Sequence, residues 1–311
     1  EIGLFSLIMI PYTWKFVWSP LVDRYNLFHL GRRRSWMLIS QIAVFFSIFL
    51  LGQFSPKTSL SVIAVVSVIL SFASATQDIV IDAYRREILT DRELGLGTSL
   101  FITASRASSL VPGGLSLVIA QFLSWSDVFF ITAAFMLPAL VVTFFIKEPE
   151  TINAPRNLRQ ALIQPFREFK DRRGLKSMFL IILFVFCYKL GDSMATALAT
   201  PFYIDLHYDL LTIGLVAKNA GLWSMLIGGI LGGVIMLKTG INKALWYFGF
   251  GQLITILGFV ILAHEGIGSD TAPSVFLLAF VIIAECLGAG LGTSAFVAFL
   301  SAQTNKTYAA T

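Results

Sequence analysis

Charge is scarce in this chain of 311 residues: Asp, Glu, Lys and Arg together make up 13% of it, against roughly 25% in soluble domains. There are two cysteines, Cys187 and Cys286, and both lie inside apolar runs, which excludes a disulfide framework. The three histidines, His29, His207 and His264, are isolated between such runs with no ligand spacing, so neither a metal nor a cofactor is expected. Nothing alternates over ten residues as the strands of a membrane barrel do. Gly288, Gly290 and Gly292 follow no strand, which rules out a dinucleotide fingerprint. No signal peptide is recognisable.

Apolar residues are abundant, at 56% of the chain, with a mean hydropathy of +0.79. Runs close to the ~20 residues that cross a bilayer recur throughout. They predict nine spans: Leu4–Leu21, Trp36–Phe54, Leu60–Tyr84, Gly97–Leu123, Val128–Ile146, Met178–Phe202, Ile213–Leu237, Leu245–Ala263 and Val275–Phe299. The fold class is an all-α polytopic membrane protein. Eighteen of the 23 Lys and Arg fall in alternate loops or after the last span, and the opposite loops hold only Lys57. The net charge of +5 is therefore topogenic, not a nucleic-acid signal, and the basic side is expected to be cytoplasmic. Lys147–Lys176 reads as a cytoplasmic linker between an N-terminal bundle, 1–146, and a C-terminal bundle, 177–311. In the second half two spans precede a basic loop, where the first half has one. If the halves are repeats, a twelve-helix protein is expected, of which this chain supplies helices 2–10.

Eight charges lie at membrane depth: Lys15, Arg106, Lys189 and Lys218 against Asp78, Asp82, Asp192 and Glu285. Unpaired, at about 3 kcal/mol each, they would cost on the order of 20 kcal/mol. They must meet one another or a water-filled cavity, which the spacing predicts between the two halves. Asp78 and Asp82 are four residues apart and share a helical face that Arg85 continues. They are either structural acids held by neighbouring cations or a proton or substrate site. A free Asp titrates near 3.9, membrane depth favours its neutral form, and adjacent cations favour the charged one. Asp82, nearer Arg85 and Arg86, is the expected permanent anion and Asp78 the expected proton carrier. Asp23 and Arg24, then Gly31 with Arg32, Arg33 and Arg34, are placed to clamp helix ends as well as to set topology. Pro112-Gly113-Gly114 predicts a kink. An intramembrane enzyme would need a metal site, a Ser–Lys dyad or an aimed acid pair, and no histidine lies in a span.

Pro11-Tyr-Thr-Trp-Lys15-Phe-Val-Trp-Ser-Pro-Leu-Val-Asp23-Arg-Tyr25 followed by Gly31-Arg-Arg-Arg34 resembles the helix 2–3 signature of major facilitator transporters. The form is similar to AmpG-type muropeptide permeases. The resemblance continues through Gln77-Asp-Ile-Val-Ile-Asp-Ala-Tyr84, Arg106, Lys189-Leu-Gly-Asp192, Lys218, Glu285 and Asn305-Lys-Thr-Tyr-Ala-Ala-Thr311. It implies two helical bundles around a cavity, in a monomer of the bacterial inner membrane. It also implies proton symport of GlcNAc-anhydroMurNAc peptides in peptidoglycan recycling, a process tied to β-lactam resistance. A cargo with carboxylates, amides and hydroxyls suits the basic residues together with Gln77 and Asn219; Trp14, Trp18 and Trp223 are able to stack on sugars, although aromatic packing or interfacial anchoring is the commoner role for each. Acetyl-CoA transporters share parts of the pattern and give the alternative, an anionic solute. A non-transporting sensor with the same fold is the other alternative.

Overall fold

In the computed structural model, residue 8 and residues 10–149, 158–209, 212–266 and 272–304 are described, without the side chains of 158–166, 168–173 and 218. Among the described residues there are helices and turns only, and eight helical stretches are long and apolar enough to cross a bilayer. They correspond to the second to ninth expected spans. The first expected span, Leu4–Leu21, lies partly outside the described residues. What is described of it is broken into α1 (Ile10–Trp14), a 3-10 turn (Lys15–Val17) and α2 (Ser19–Arg24). Pro20 enters α2 near its start, where its missing N–H costs nothing.

The chain then forms α3 (Arg32–Leu51), α4 (Leu60–Ile88) and α5 (Leu94–Ser108). Thr90 and Glu93 make a reciprocal cap ahead of α5, with the Thr90 hydroxyl donating to Glu93 Oε2 at 2.7 Å and accepting from Glu93 N–H at 3.4 Å. The Thr90 hydroxyl and the Thr90 backbone N–H, which donates to the same Glu93 Oε2 at 3.3 Å, hold the Glu93 carboxyl below its ordinary value, so the cap persists at neutral pH and weakens only as pH falls through that lowered value. At the expected kink the chain widens into a π turn, Val111–Leu115. Leu115 N–H there reaches the Leu110 carbonyl at 2.9 Å, five residues back. After it come α6 (Ser116–Ile119), α7 (Trp125–Ala134) and α8 (Leu137–Phe145). Helix α9 (Leu158–Asp205) is interrupted at Gly174, whose φ of +76° only glycine adopts freely. A π segment, Ile213–Ala220, leads into α10 (Gly221–Thr239). Last come α11 (Ile241–Ile256), α12 (Gly258–Gly266) and α13 (Val275–Gln303).

Two compact units result, Glu1–Ile88 with Ser108–Glu168 and Thr304–Thr311, and Leu89–Ala107 with Phe169–Gln303. The first is built on α3 against α4, with α7 and α8 packed on α3. Val22, Met37, Ile79 and Val80 form its buried cluster. Buried polar side chains join its helices, as when Thr143 Oγ1 donates to Gln41 Oε1 at 3.0 Å. The second unit is built on α10 against α13. Here glycine decides the spacing, because a Cβ at Gly228 would strike the Leu287 carbonyl and one at Gly290 the Met225 carbonyl. Helix α5 packs against the same assembly, its buried Ser99 hydroxyl donating to the Gly229 carbonyl at 2.5 Å.

Candidate functional site

The first group of charged residues ties together the helix ends of the first unit. Arg33 and Asp23 are both 0% exposed. Arg33 donates to Asp23 Oδ1 at 2.7 Å and, through Nε, to Glu87 Oε2 at 3.0 Å. Arg32 donates to Glu87 Oε1 at 2.9 Å and to the Asp23 carbonyl at 2.6 Å. The end of α2, the start of α3 and the end of α4 are thus one ionic knot. Glu148 completes it from beyond α8, accepting from the backbone N–H of Arg33 at 2.7 Å and of Arg34 at 3.0 Å. A carboxylate there meets the positive end of the α3 dipole. Gly31 makes room, since its φ is +103° and a Cβ would overlap the Glu148 side chain. Arg34 turns instead to the end of α8, donating to the carbonyls of Thr143 at 3.1 Å and Phe144 at 2.5 Å. Arg24 lies over the Tyr25 ring, 5.0 Å from its centroid, and not in the knot. Glu148→Ala should remove the cap from two N–H groups and lower stability by about 1–2 kcal/mol, read as thermal unfolding in detergent. An unchanged melting temperature would show that the cap is ornamental.

The second group is the expected acid pair of α4, and the structure gives each acid its own cation. Lys15 pairs with Asp78, and Asp82 accepts from Arg85 at 2.9 Å one turn on. The broken segment that carries Lys15 is pinned to the same helix on either side of the pair. Tyr12 OH lies 2.6 Å from Ser74 Oγ, and Trp18 Nε1 donates to Thr76 Oγ1 at 3.1 Å. Trp18 also packs on Phe72, with centroids 4.6 Å apart, so its ring is engaged in packing.

The third group lies in the second unit. Lys189 donates to Asp192 at 2.6 Å and to Thr293 Oγ1 at 3.0 Å, joining α9 to α13. Asp192 is within electrostatic range of Arg106 on α5 and of buried Glu285 on α13. Arg106 also touches the Met225 sulfur, and Glu285 accepts from Cys286 Sγ at 3.2 Å. Tyr188 stacks on Phe296, with centroids 5.2 Å apart and planes 7° from parallel, under Lys189. Asp192 borders a cavity of about 480 Å³ whose other walls, such as Trp246 and Phe250, are largely apolar.

Of the residues expected from sequence, Asp23, Arg32 and Arg33 meet in one knot, Lys15 meets Asp78, and Lys189, Asp192, Arg106 and Glu285 share one neighbourhood. Gln77 is half-buried on α4. Asn219 donates to the Gly214 carbonyl at 3.4 Å within its own π segment. The Lys218 side chain lies outside the described residues. Glu87, Glu148 and Thr293 are partners that the sequence pattern does not mark. Glu87 closes the acidic stretch of α4 and Glu148 is the first acid after α8, so charge at helix ends was the available signal.

Helices long and apolar enough to cross a bilayer, with cations and carboxylates paired along them, suit a membrane carrier of polar solutes. The comparisons make that class definite. The family model of the Major Facilitator Superfamily matches residues 2–311, and the chain belongs to that superfamily, a family of transporters and not of enzymes. It is 46% identical over 314 residues to an uncharacterised protein of Haemophilus influenzae, covering 100% of this chain and 74% of that protein. It is 37% identical over 313 residues to the anhydromuropeptide permease of Escherichia coli, covering 100% of this chain and 62% of that permease. The crystal structure of a bacterial homologue of the iron transporter ferroportin in its outward-facing state shares the fold. Its TM-score is 0.61 at 15% identity, over 99% of this chain and 77% of that one.

Proposed function

We propose that the protein to which this chain belongs is a proton-coupled secondary transporter. Its cargo is cell-wall muropeptides, GlcNAc-anhydroMurNAc peptides, imported across the bacterial inner membrane for recycling. The observation that carries this reading is the 37% identity to an anhydromuropeptide permease along the whole of this chain. The chemistry of the membrane-depth residues supports it. Lys15, Arg106, Lys189 and Lys218 suit the carboxylates of a peptide-bearing sugar, and Gln77 and Asn219 suit its amides and hydroxyls. Asp78 and Asp82 are the proton-coupling acids in this reading, with Asp192 and Glu285 as polar partners to the cargo. The reading divides the transporter into bundles 1–146 and 177–311 joined by the linker 147–176, its basic loops in the cytoplasm. The protein acts as a monomer with protons and the lipid bilayer as its other partners.

Uptake into right-side-out membrane vesicles tests the cargo. Labelled GlcNAc-anhydroMurNAc-tripeptide should accumulate when an inward proton gradient is imposed, and collapse of the gradient should abolish accumulation. Accumulation of acetyl-CoA with exclusion of the muropeptide would replace this reading with the anionic-solute one.

A further inference from the structure

We infer that Thr293 is a positioning residue: its hydroxyl draws the Lys189 ammonium across from α9 to α13, with one N–H left to donate to a carboxylate of the cargo. The inference rests on the reading of Lys189 as a cargo-binding cation. How the lysine is held does not depend on which anionic solute is carried.

An ammonium has three N–H donors and accepts nothing. Lys189 gives one to Asp192 Oδ2 at 2.6 Å and one to Thr293 Oγ1 at 3.0 Å. Among the described residues the third has no acceptor, and the side chain is 32% exposed, so a solute oxygen can reach it.

The two partners differ in what they fix. Asp192 lies three residues on in the same helix, so its pair with Lys189 is satisfied with the side chain lying along α9. Asp192 is also within electrostatic range of Arg106. A lysine ammonium is a compact charge on a flexible stem, and a carboxylate alone leaves its position loose. Thr293 is on α13 and buried, and its hydroxyl oxygen accepts in a defined direction. That bond sets the ammonium toward α13 and adds no charge to compete with a cargo anion. Phe296, one turn beyond Thr293, lines the same place with its ring centroid 5.9 Å from the ammonium.

The docking of the two helices does not depend on this hydroxyl. Tyr188 stacks on Phe296 and donates to the Gly292 carbonyl at 3.4 Å. Gly292 allows the approach, since a Cβ there would lie 3.2 Å from the Tyr188 hydroxyl and 2.5 Å from Gln252 Oε1. Valine keeps the branched shape of threonine, so Thr293→Val removes the acceptor with α9 still held against α13. Lys189 then falls back on Asp192 alone. A cargo carboxylate must afterwards order the lysine itself, a penalty of roughly two- to tenfold in affinity.

Calorimetric titration of the full-length protein in nanodiscs tests the role with two probes, GlcNAc-anhydroMurNAc-tripeptide and the same molecule with its carboxylates amidated. Thr293→Val should bind the free-carboxylate form roughly two- to tenfold more weakly than wild type. Thr293→Ser keeps an acceptor and should bind it as wild type does. The amidated form should bind wild type and Thr293→Val equally, and more weakly than the free acid binds wild type. Loss of affinity by the same factor for both probes would mean that Thr293 acts through packing and would overturn the inference. So would a Thr293→Val protein that binds the free acid as wild type does. Failure of the wild type to bind the muropeptide at all would instead count against the cargo. Competitive acetylation of Lys189, read by mass spectrometry, then tests the positioning without cargo. Thr293→Val frees the amine from one of its two bonds and should raise labelling several-fold over wild type and Thr293→Ser; unchanged labelling would overturn the positioning.

Discussion

Arg33→Met should destabilise the protein by about 3–5 kcal/mol, the usual cost of removing one partner from a buried ion pair. Arg33 and Asp23 are both fully buried, and Glu87 is nearly so, with 7% of its side chain exposed. Without the guanidinium, two carboxylates face each other in a site that water does not reach, with Arg32 left as their nearby cation. The methionine occupies similar volume, so the loss is electrostatic and not a cavity effect. Glu87→Gln in the Arg33→Met background should therefore recover part of the stability, which a packing defect would not allow. Thermal unfolding in detergent, followed by loss of the monodisperse species, reads both variants. A single variant that melts within about 1 kcal/mol of wild type would mean that the knot contributes little to the folded state.

Gly290→Val should be as damaging, for a steric reason. A side chain at this position in α13 meets the Met225 carbonyl and lies 3.0 Å from the Gly229 nitrogen, and both are backbone atoms of α10. No rotamer change relieves a clash with backbone, so the two helices that form the heart of the second unit must separate. The cost should reach or exceed the 1–3 kcal/mol typical of overpacked cores. Gly251→Ala in α11 is the matched control, because a Cβ there meets nothing within 4 Å. It should be neutral or slightly stabilising through helix propensity. Equal behaviour of the two variants would show that the glycines of α10 and α13 are not there for close approach.

Local pattern carried much of this fold, and partners distant in sequence carried the rest. The spans of α4 and α13 are legible because their apolar runs are long, and the glycine stripes of α10 and α13 announce helices in close contact. Pro112-Gly113-Gly114 marks a deformation, although not that it takes the form of a π turn. The break at Trp14–Lys15 is harder to see, since Pro11 and Pro20 flank it without falling on it. Lys15, Asp78, Lys189 and Asp192 stand out because charge at membrane depth demands an explanation. That Lys15 meets Asp78 depends on how α1 docks, 63 positions away. Glu148 shows the same limit: it caps a helix that begins more than 100 residues earlier, at separations of 115 and 114 residues. Grouping Leu89–Ala107 with the second unit likewise depends on contacts that Ser99 and Gly233 make across the sequence, with Cβ positions that would lie 2.7 Å apart.

Co-movement of cargo and proton in a purified system tests the central claim most directly. The full-length protein, reconstituted in liposomes that contain a trapped pH indicator, would be given GlcNAc-anhydroMurNAc-tripeptide on one side with no pH gradient and the membrane potential clamped. Downhill entry of the muropeptide should acidify the lumen at a rate proportional to uptake, and Asp78→Asn should uncouple the two. Muropeptide entry with no change in luminal pH, or an absence of entry by a correctly folded protein, would contradict proton-coupled muropeptide transport.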